Sequence, residues 1–91
     1  MEKTVTLLTS DDCFHCQDLK TRLNELGIEF DEIEINKNIN FWNKFIEDND
    51  CDIVPVVLIR EKKGVKNKIF LPEKHYNSNE EAIIIIKQNI L

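Results

Sequence analysis

Leu7-Leu8-Thr9-Ser10-Asp11-Asp12-Cys13-Phe14-His15-Cys16 is the stretch whose reading decides the fold. Upstream, Thr4 to Thr9 places Val5 and Leu7 on one face and Thr6 and Leu8 on the other, the pattern of a strand covered on both sides. Downstream, Cys16, Leu19, Leu23 and Leu26 form a helical stripe along an otherwise polar segment, and Gly27 follows as a left-handed stop. The helix is entered just before or at Cys13. Two cysteines three residues apart therefore sit where a buried strand gives way to a helix.

Reading outward, Ile28 to Ile35 is a second strand whose apolar parity shifts between Phe30 and Ile33, which leaves its register open. Asn38 or Asn40 is placed to cap a second helix with Phe41, Trp42, Phe45 and Ile46 on a broad apolar face, a pattern of core rather than of a binding platform. Ile53 to Ile59 is the most strand-like run in the chain. Lys63-Gly64 supplies a turn, and Lys68 to Leu71 returns as a hairpin partner. Ser78 with Glu81 three residues later forms a capping box, and Ala82, Ile83, Ile86 and Ile90 continue as a helix face. The predicted order is βαβαββα in one domain, residues 1–91, with no repeat or linker. Pro55 conflicts with a central strand, since it donates no ladder hydrogen bond. Either the strand begins after it, or a cis Val54-Pro55 bond bends the chain at the strand's entry.

Composition narrows the function. The 91 residues carry 12 Lys and Arg against 17 Asp and Glu, a formal charge of −5, and 42% are hydrophobic. An acidic chain with no basic stripe is not expected to bind nucleic acid or an anionic membrane. The one basic run, Arg60 to Lys68, is broken by Glu61 and Gly64 and reads as a solvated turn. The longest apolar stretch, Ala82 to Ile86, is far short of the roughly 20 residues that span a bilayer. The first residues lack the apolar block of a secretory signal, so a reducing cytosol is the expected location. Three cysteines in such a chain point to catalytic or metal-binding thiols rather than a disulfide scaffold.

At a first helical turn, two cysteines in CxxC spacing bring their sulfurs within bonding distance, while the helix dipole and open amides stabilise a thiolate on the first. Cys13 is then the exposed nucleophile and Cys16, on the apolar stripe, the covered resolving thiol. Two small core residues, or half a zinc site, are the competing readings. The first suits Cys16 better than Cys13, and the second lacks another CxxC or HxxxH cluster.

These residues resemble the thioredoxin superfamily, and within it a small glutaredoxin. The similarity rests on Cys13-Phe14-His15-Cys16 after the first strand, on Ile53-Val54-Pro55 in the place of the family's Thr-Val-Pro, and on the element order. It implies a thioredoxin fold, a four-stranded mixed sheet in the order 2-1-3-4 with helices on both faces. By resemblance Cys13 attacks, Cys16 resolves, and the Val54 backbone holds an incoming disulfide beside a cis Pro55. The family's Pro-Tyr between the cysteines is Phe14-His15 here. Its glycine-containing grip on the γ-glutamyl end of glutathione is Asn77-Ser78-Asn79, where Ser78 and Asn79 can still offer polar groups and a helix amino terminus to a carboxylate.

The resemblance implies a dithiol–disulfide oxidoreductase acting on protein disulfides or glutathione mixed disulfides. No bound cofactor or metal is expected; glutathione is the expected co-substrate, with glutathione or thioredoxin reductase as the electron source, and a monomer is expected. A thioredoxin-reductase-dependent redoxin is the alternative. A more remote one is an iron–sulfur carrier, against which Cys16 argues. Ribonucleotide reductase is a familiar client of such proteins, though no residue selects it. Phe14, inside the CxxC loop, is expected to be exposed as a substrate contact. His15 resembles the histidine in the Cys-Pro-His-Cys centre of a strong disulfide oxidant and would favour the Cys13 thiolate. Its alternative is an idle surface histidine. Asp11 and Asp12 would oppose that thiolate, or simply cap the helix entry. Cys51 reads as a loop or semi-buried thiol, with glutathionylation or an intermolecular disulfide as its functional alternatives. His75 and Tyr76 either line the site, serve packing or lie exposed to solvent.

Overall fold

A computed structural model describes residues 3–61 and 67–91. The elements are β1 (Lys3–Thr9), α1 (Phe14–Glu25), β2 (Asp31–Glu34), a 3-10 turn (Ile35–Lys37), α2 (Ile39–Asn49), β3 (Val56–Glu61), β4 (Asn67–Phe70) and α3 (Asn79–Ile90). The sheet order is β2-β1-β3-β4. β1 pairs with β2 in parallel and with β3 antiparallel, and β3 pairs antiparallel with β4. This is the thioredoxin arrangement, in the predicted strand order.

Alternation along the central strands builds two apolar layers, because successive side chains leave a strand on opposite faces. Val5 and Leu7 of β1 join Val57 and Ile59 of β3, with Leu19 and Leu23 of α1 and Ile83 and Ile86 of α3 packed over them. Leu8 and Val56 face the other way, under Trp42 and Phe45 of α2. The parity shift near β2 has the same origin. Ile28 and Phe30 pack into the first layer and Ile33 and Ile35 into the second, with Ile33 held opposite Leu8.

Several boundaries differ from expectation. β2 spans Asp31–Glu34 rather than residues 28–35, so Ile28 and Phe30 pack from a connecting segment. Leu26, expected on the buried stripe, is the C-cap of α1 and 48% exposed. Gly27, at φ 71°, ends the helix: its N–H donates to Asn24 O, and the N–H of Ile28 donates to Leu23 O. These bonds satisfy carbonyls left open by the last turn. Asn38 holds the cap position of α2, but its side-chain amide donates to Glu34 O and makes no bond to the helix. Phe41 is 42% exposed, so the buried face of α2 narrows to Trp42 and Phe45. β3 starts at Val56, after the proline rather than across it. The observed β4 is Asn67–Phe70, so Leu71 follows the strand. The predicted Lys63-Gly64 turn lies outside the described residues.

Candidate active site

Cys13 is the N-cap of α1, with extended backbone, and its Sγ accepts a hydrogen bond from the N–H of Cys16 at 3.1 Å. The two cysteines are joined as a disulfide, with Cα atoms 5.2 Å apart. Cys16 is fully buried on the stripe with Leu19 and Leu23, whereas Cys13 is partly open. The same amide that meets Cys13 Sγ here is placed to stabilise a thiolate on that sulfur after reduction, and the positive end of the helix acts in the same direction. Neither Asp11 nor Asp12 caps the helix. The Asp12 carboxylate accepts from Ser10 Oγ, and the Asp11 N–H donates to Asn36 Oδ1. Cys13 takes the cap position itself.

The second wall comes from the segment before β3. The Val54-Pro55 peptide is cis, and Val54 O lies 4.0 Å from Cys13 Sγ. Tyr76, buried, donates its hydroxyl to Pro55 O and so ties this wall to the segment preceding α3. Burial, with a further contribution from Cys51, raises the Tyr76 phenol above its ordinary range, so the donor stays protonated.

The third wall is the start of α3. Ser78 Oγ accepts from the N–H of Glu81, and Glu81 Oε1 in turn accepts from the N–H of Asn77 at 2.6 Å. The reciprocal half of this box falls one residue before the N-cap. Asn79 Nδ2 donates to His15 O and to Asp18 Oδ2, both at 3.0 Å, which fastens the start of α3 to the first turns of α1. Between the three walls runs an open groove of about 450 Å³, and Phe14, His15, Val54, Pro55, Ser78 and Asn79 all line it. Phe14 is 80% exposed.

Residues 5–63 match the Glutaredoxin family model, a span that takes in both cysteines and the Val54-Pro55 wall. The chain belongs to the glutaredoxin family. Family and cysteine pair together support a thiol–disulfide oxidoreductase in the general sense. A solved structure described as that of a malarial protein superposes on this glutaredoxin with a TM-score of 0.62 over 100% of both chains, at 17% identity, which is a likeness of fold. No curated protein sequence matches it.

The glutaredoxin groove also contains residues that the sequence reading passed over. Asp18 and Arg22 line it, as do Glu73 and Glu80. Asp18 and Arg22 follow His15 at helical intervals of three and seven, so one face of α1 carries all three; that spacing is the signal that could have found them. Glu73 has no comparable local signature. Of the pair before α3, Tyr76 lines the groove, while His75 uses Nδ1 to accept from the Leu71 N–H and sets its ring against the edge of Phe70. Cys51 is buried with Trp42 and Phe45 in the α2 layer, its Sγ 3.7 Å from Ile53 O. Among the described residues, no helix is long and apolar enough to cross a membrane, and no group of three or more His, Cys, Asp or Glu is placed to hold a metal ion.

Proposed function

We propose that this glutaredoxin reduces disulfides of polypeptides, or their mixed disulfides with glutathione, through Cys13 and Cys16, as a monomer in a reducing cytosol. The observation that carries the reading is the placement of Cys13 Sγ: it accepts the Cys16 N–H at the start of α1 and lies 4.0 Å from the carbonyl of Val54, a residue that lines the groove. In the reduced protein the Cys13 thiolate attacks one sulfur of the substrate, forms a mixed disulfide and expels the other sulfur as a thiolate. Cys16 then gives up its proton and attacks Cys13 Sγ. The second substrate sulfur leaves as a thiolate, and the Cys13–Cys16 disulfide holds the oxidising equivalents. The two leaving thiolates take up two protons, which match the one lost when Cys13 ionised and the one given up by Cys16. Two electrons from glutathione or a thioredoxin reductase restore the dithiol.

In this reading Val54 and Pro55 orient the incoming disulfide, Phe14 and His15 contact the chain that carries it, and Ser78 and Asn79 border its far end. Asn79 supports glutathione as ligand only weakly, because His15 O and Asp18 already occupy its amide donors. Cys13→Ser and Cys16→Ser variants test the assignment by alkylation and mass analysis after exposure to a peptide disulfide. Cys13→Ser should lose all exchange, while Cys16→Ser should accumulate a mixed disulfide on Cys13. Adducts only at Cys16 would reverse the roles.

A further inference from the structure

We infer that the groove selects polypeptide disulfides whose cysteine is flanked by lysine or arginine, over the disulfides of glutathione. The inference rests on the redox reading above and narrows its substrate. Of the ionised side chains lining the groove among the described residues, three are carboxylates, Asp18, Glu73 and Glu80, and one is a guanidinium, Arg22. Arg22 is already engaged, with Nε 3.0 Å from Asp18 Oδ2 and Nη1 3.8 Å from Glu80 Oε1. Asp11 and Asp12, both exposed, add negative charge on the loop that enters Cys13. The nearby ammonium of Lys37 is held by Glu34 at 3.0 Å.

A glutathionyl group brings two carboxylates and one ammonium. Its carboxylates need donors, and several that the start of α3 would offer are occupied within the chain: the Asn79 amide by His15 O and Asp18, and the Asn77 N–H by Glu81. The acidic rim repels them further. A lysine or arginine beside the substrate cysteine meets the opposite situation, since Glu73 is an exposed acceptor, Glu80 is exposed with only the long contact to Arg22, and a groove whose lining is net negative concentrates the opposite charge. Exposed Phe14 and Ile53, 80% and 38% accessible on the same groove, supply apolar contact for a side chain of a longer polypeptide, which a tripeptide lacks. Charge and apolar surface thus favour the same class of partner.

The test uses the whole pre-reduced chain in single turnover. Its second-order rate of oxidation is measured with disulfide-linked peptides that differ only in lysine, glutamine or glutamate beside the cysteine, and with oxidised glutathione. Each rate is divided by that of dithiothreitol on the same disulfide, which removes the effect of flanking charge on the disulfide itself. At low ionic strength the lysine peptide should exceed the glutamate peptide and oxidised glutathione by about tenfold. The ratio should shrink in high salt, and it should shrink in a Glu73→Gln, Glu80→Gln double variant. Equal normalised rates, a preference for the glutamate peptide or glutathione, or a ratio indifferent to salt would overturn the inference while leaving the redox reading intact. Failure of every disulfide to oxidise the dithiol would overturn the redox reading itself.

Discussion

Tyr76→Phe removes one oxygen atom from a buried junction and leaves the ring in place. The hydroxyl is the donor to Pro55 O, and Tyr76 packs in the layer beneath α1 and α3. Losing one buried hydrogen bond, with a carbonyl left to find another partner, costs about 1–2 kcal/mol. For a domain of this size that corresponds to a fall in Tm of roughly 5–15 °C. A second consequence has the opposite sign at high pH. Burial, and after it Cys51, raises the phenol's pKa in the folded chain above its ordinary 10.0. Above that value the unfolded chain releases this proton while the folded chain keeps it, so the folded state binds more protons and its stability falls as pH rises. Phenylalanine has no such proton. The variant should therefore be less stable near neutrality but lose less stability above pH 10.0. Urea unfolding across that range measures both effects, and because the chain has one tyrosine, tyrosinate absorbance reads the group directly. A Tm within about 1 °C of the parent at neutral pH, or tyrosinate appearing at its ordinary pH in the folded protein, would refute the reasoning.

Gly27→Ala should cost about 1 kcal/mol in urea unfolding although a Cβ there meets nothing within 4 Å, because the residue sits at φ 71°. At Glu32, burial works against ionisation, but hydrogen bonds from Lys20 and Thr9 outweigh it and lower the carboxyl pKa below 4.5. The resulting stability is present above that value and lost as pH falls through the folded pKa, so Glu32→Gln should be destabilising near neutral pH and equal to the parent in acid, as read by urea midpoints. Cys51→Ser should retain the rate of disulfide exchange, with a stability loss of about 1 kcal/mol from placing a hydroxyl in the α2 layer. A rate cut severalfold would make Cys51 a participant.

What the sequence makes legible is what local pattern controls. The two-sided burial of β1, the stripe of α1 closed by Gly27 and the CxxC between them require only periodicity and turn chemistry, as do the later strand runs and the Ser78 capping box that complete the element order. β2 is shorter than its apolar run because Ile28 and Phe30 bury themselves without joining the ladder. Asn38 fails as a side-chain cap because the Glu34 carbonyl lies within reach. The ties that assemble the site are of another kind. Tyr76 reaches Pro55 across 21 positions and Asn79 reaches His15 across 64, and no spacing rule connects residues so far apart.

The start of α3 shows why the same residues can be read correctly for structure and incompletely for binding. An open helix amino terminus attracts an anion because its first N–H groups lack partners. Here the chain supplies an anion of its own. Glu81, the residue that makes the helix start recognisable as a capping box, turns its carboxylate back onto the Asn77 N–H, while its own N–H is taken by Ser78 Oγ. Asn79, the next polar candidate, turns its amide toward α1 and the Asp18 carboxylate. A carboxylate arriving at the Asn77 N–H must therefore compete with one already seated and approach the Asp18 carboxylate close by. The carboxylate that marks a well-capped helix is thus the one that occupies the Asn77 N–H, a donor that a substrate's negative charge would otherwise reach. Glu73 and Glu80 are left exposed along the same groove, and it is to them that the inferred basic partner would be drawn.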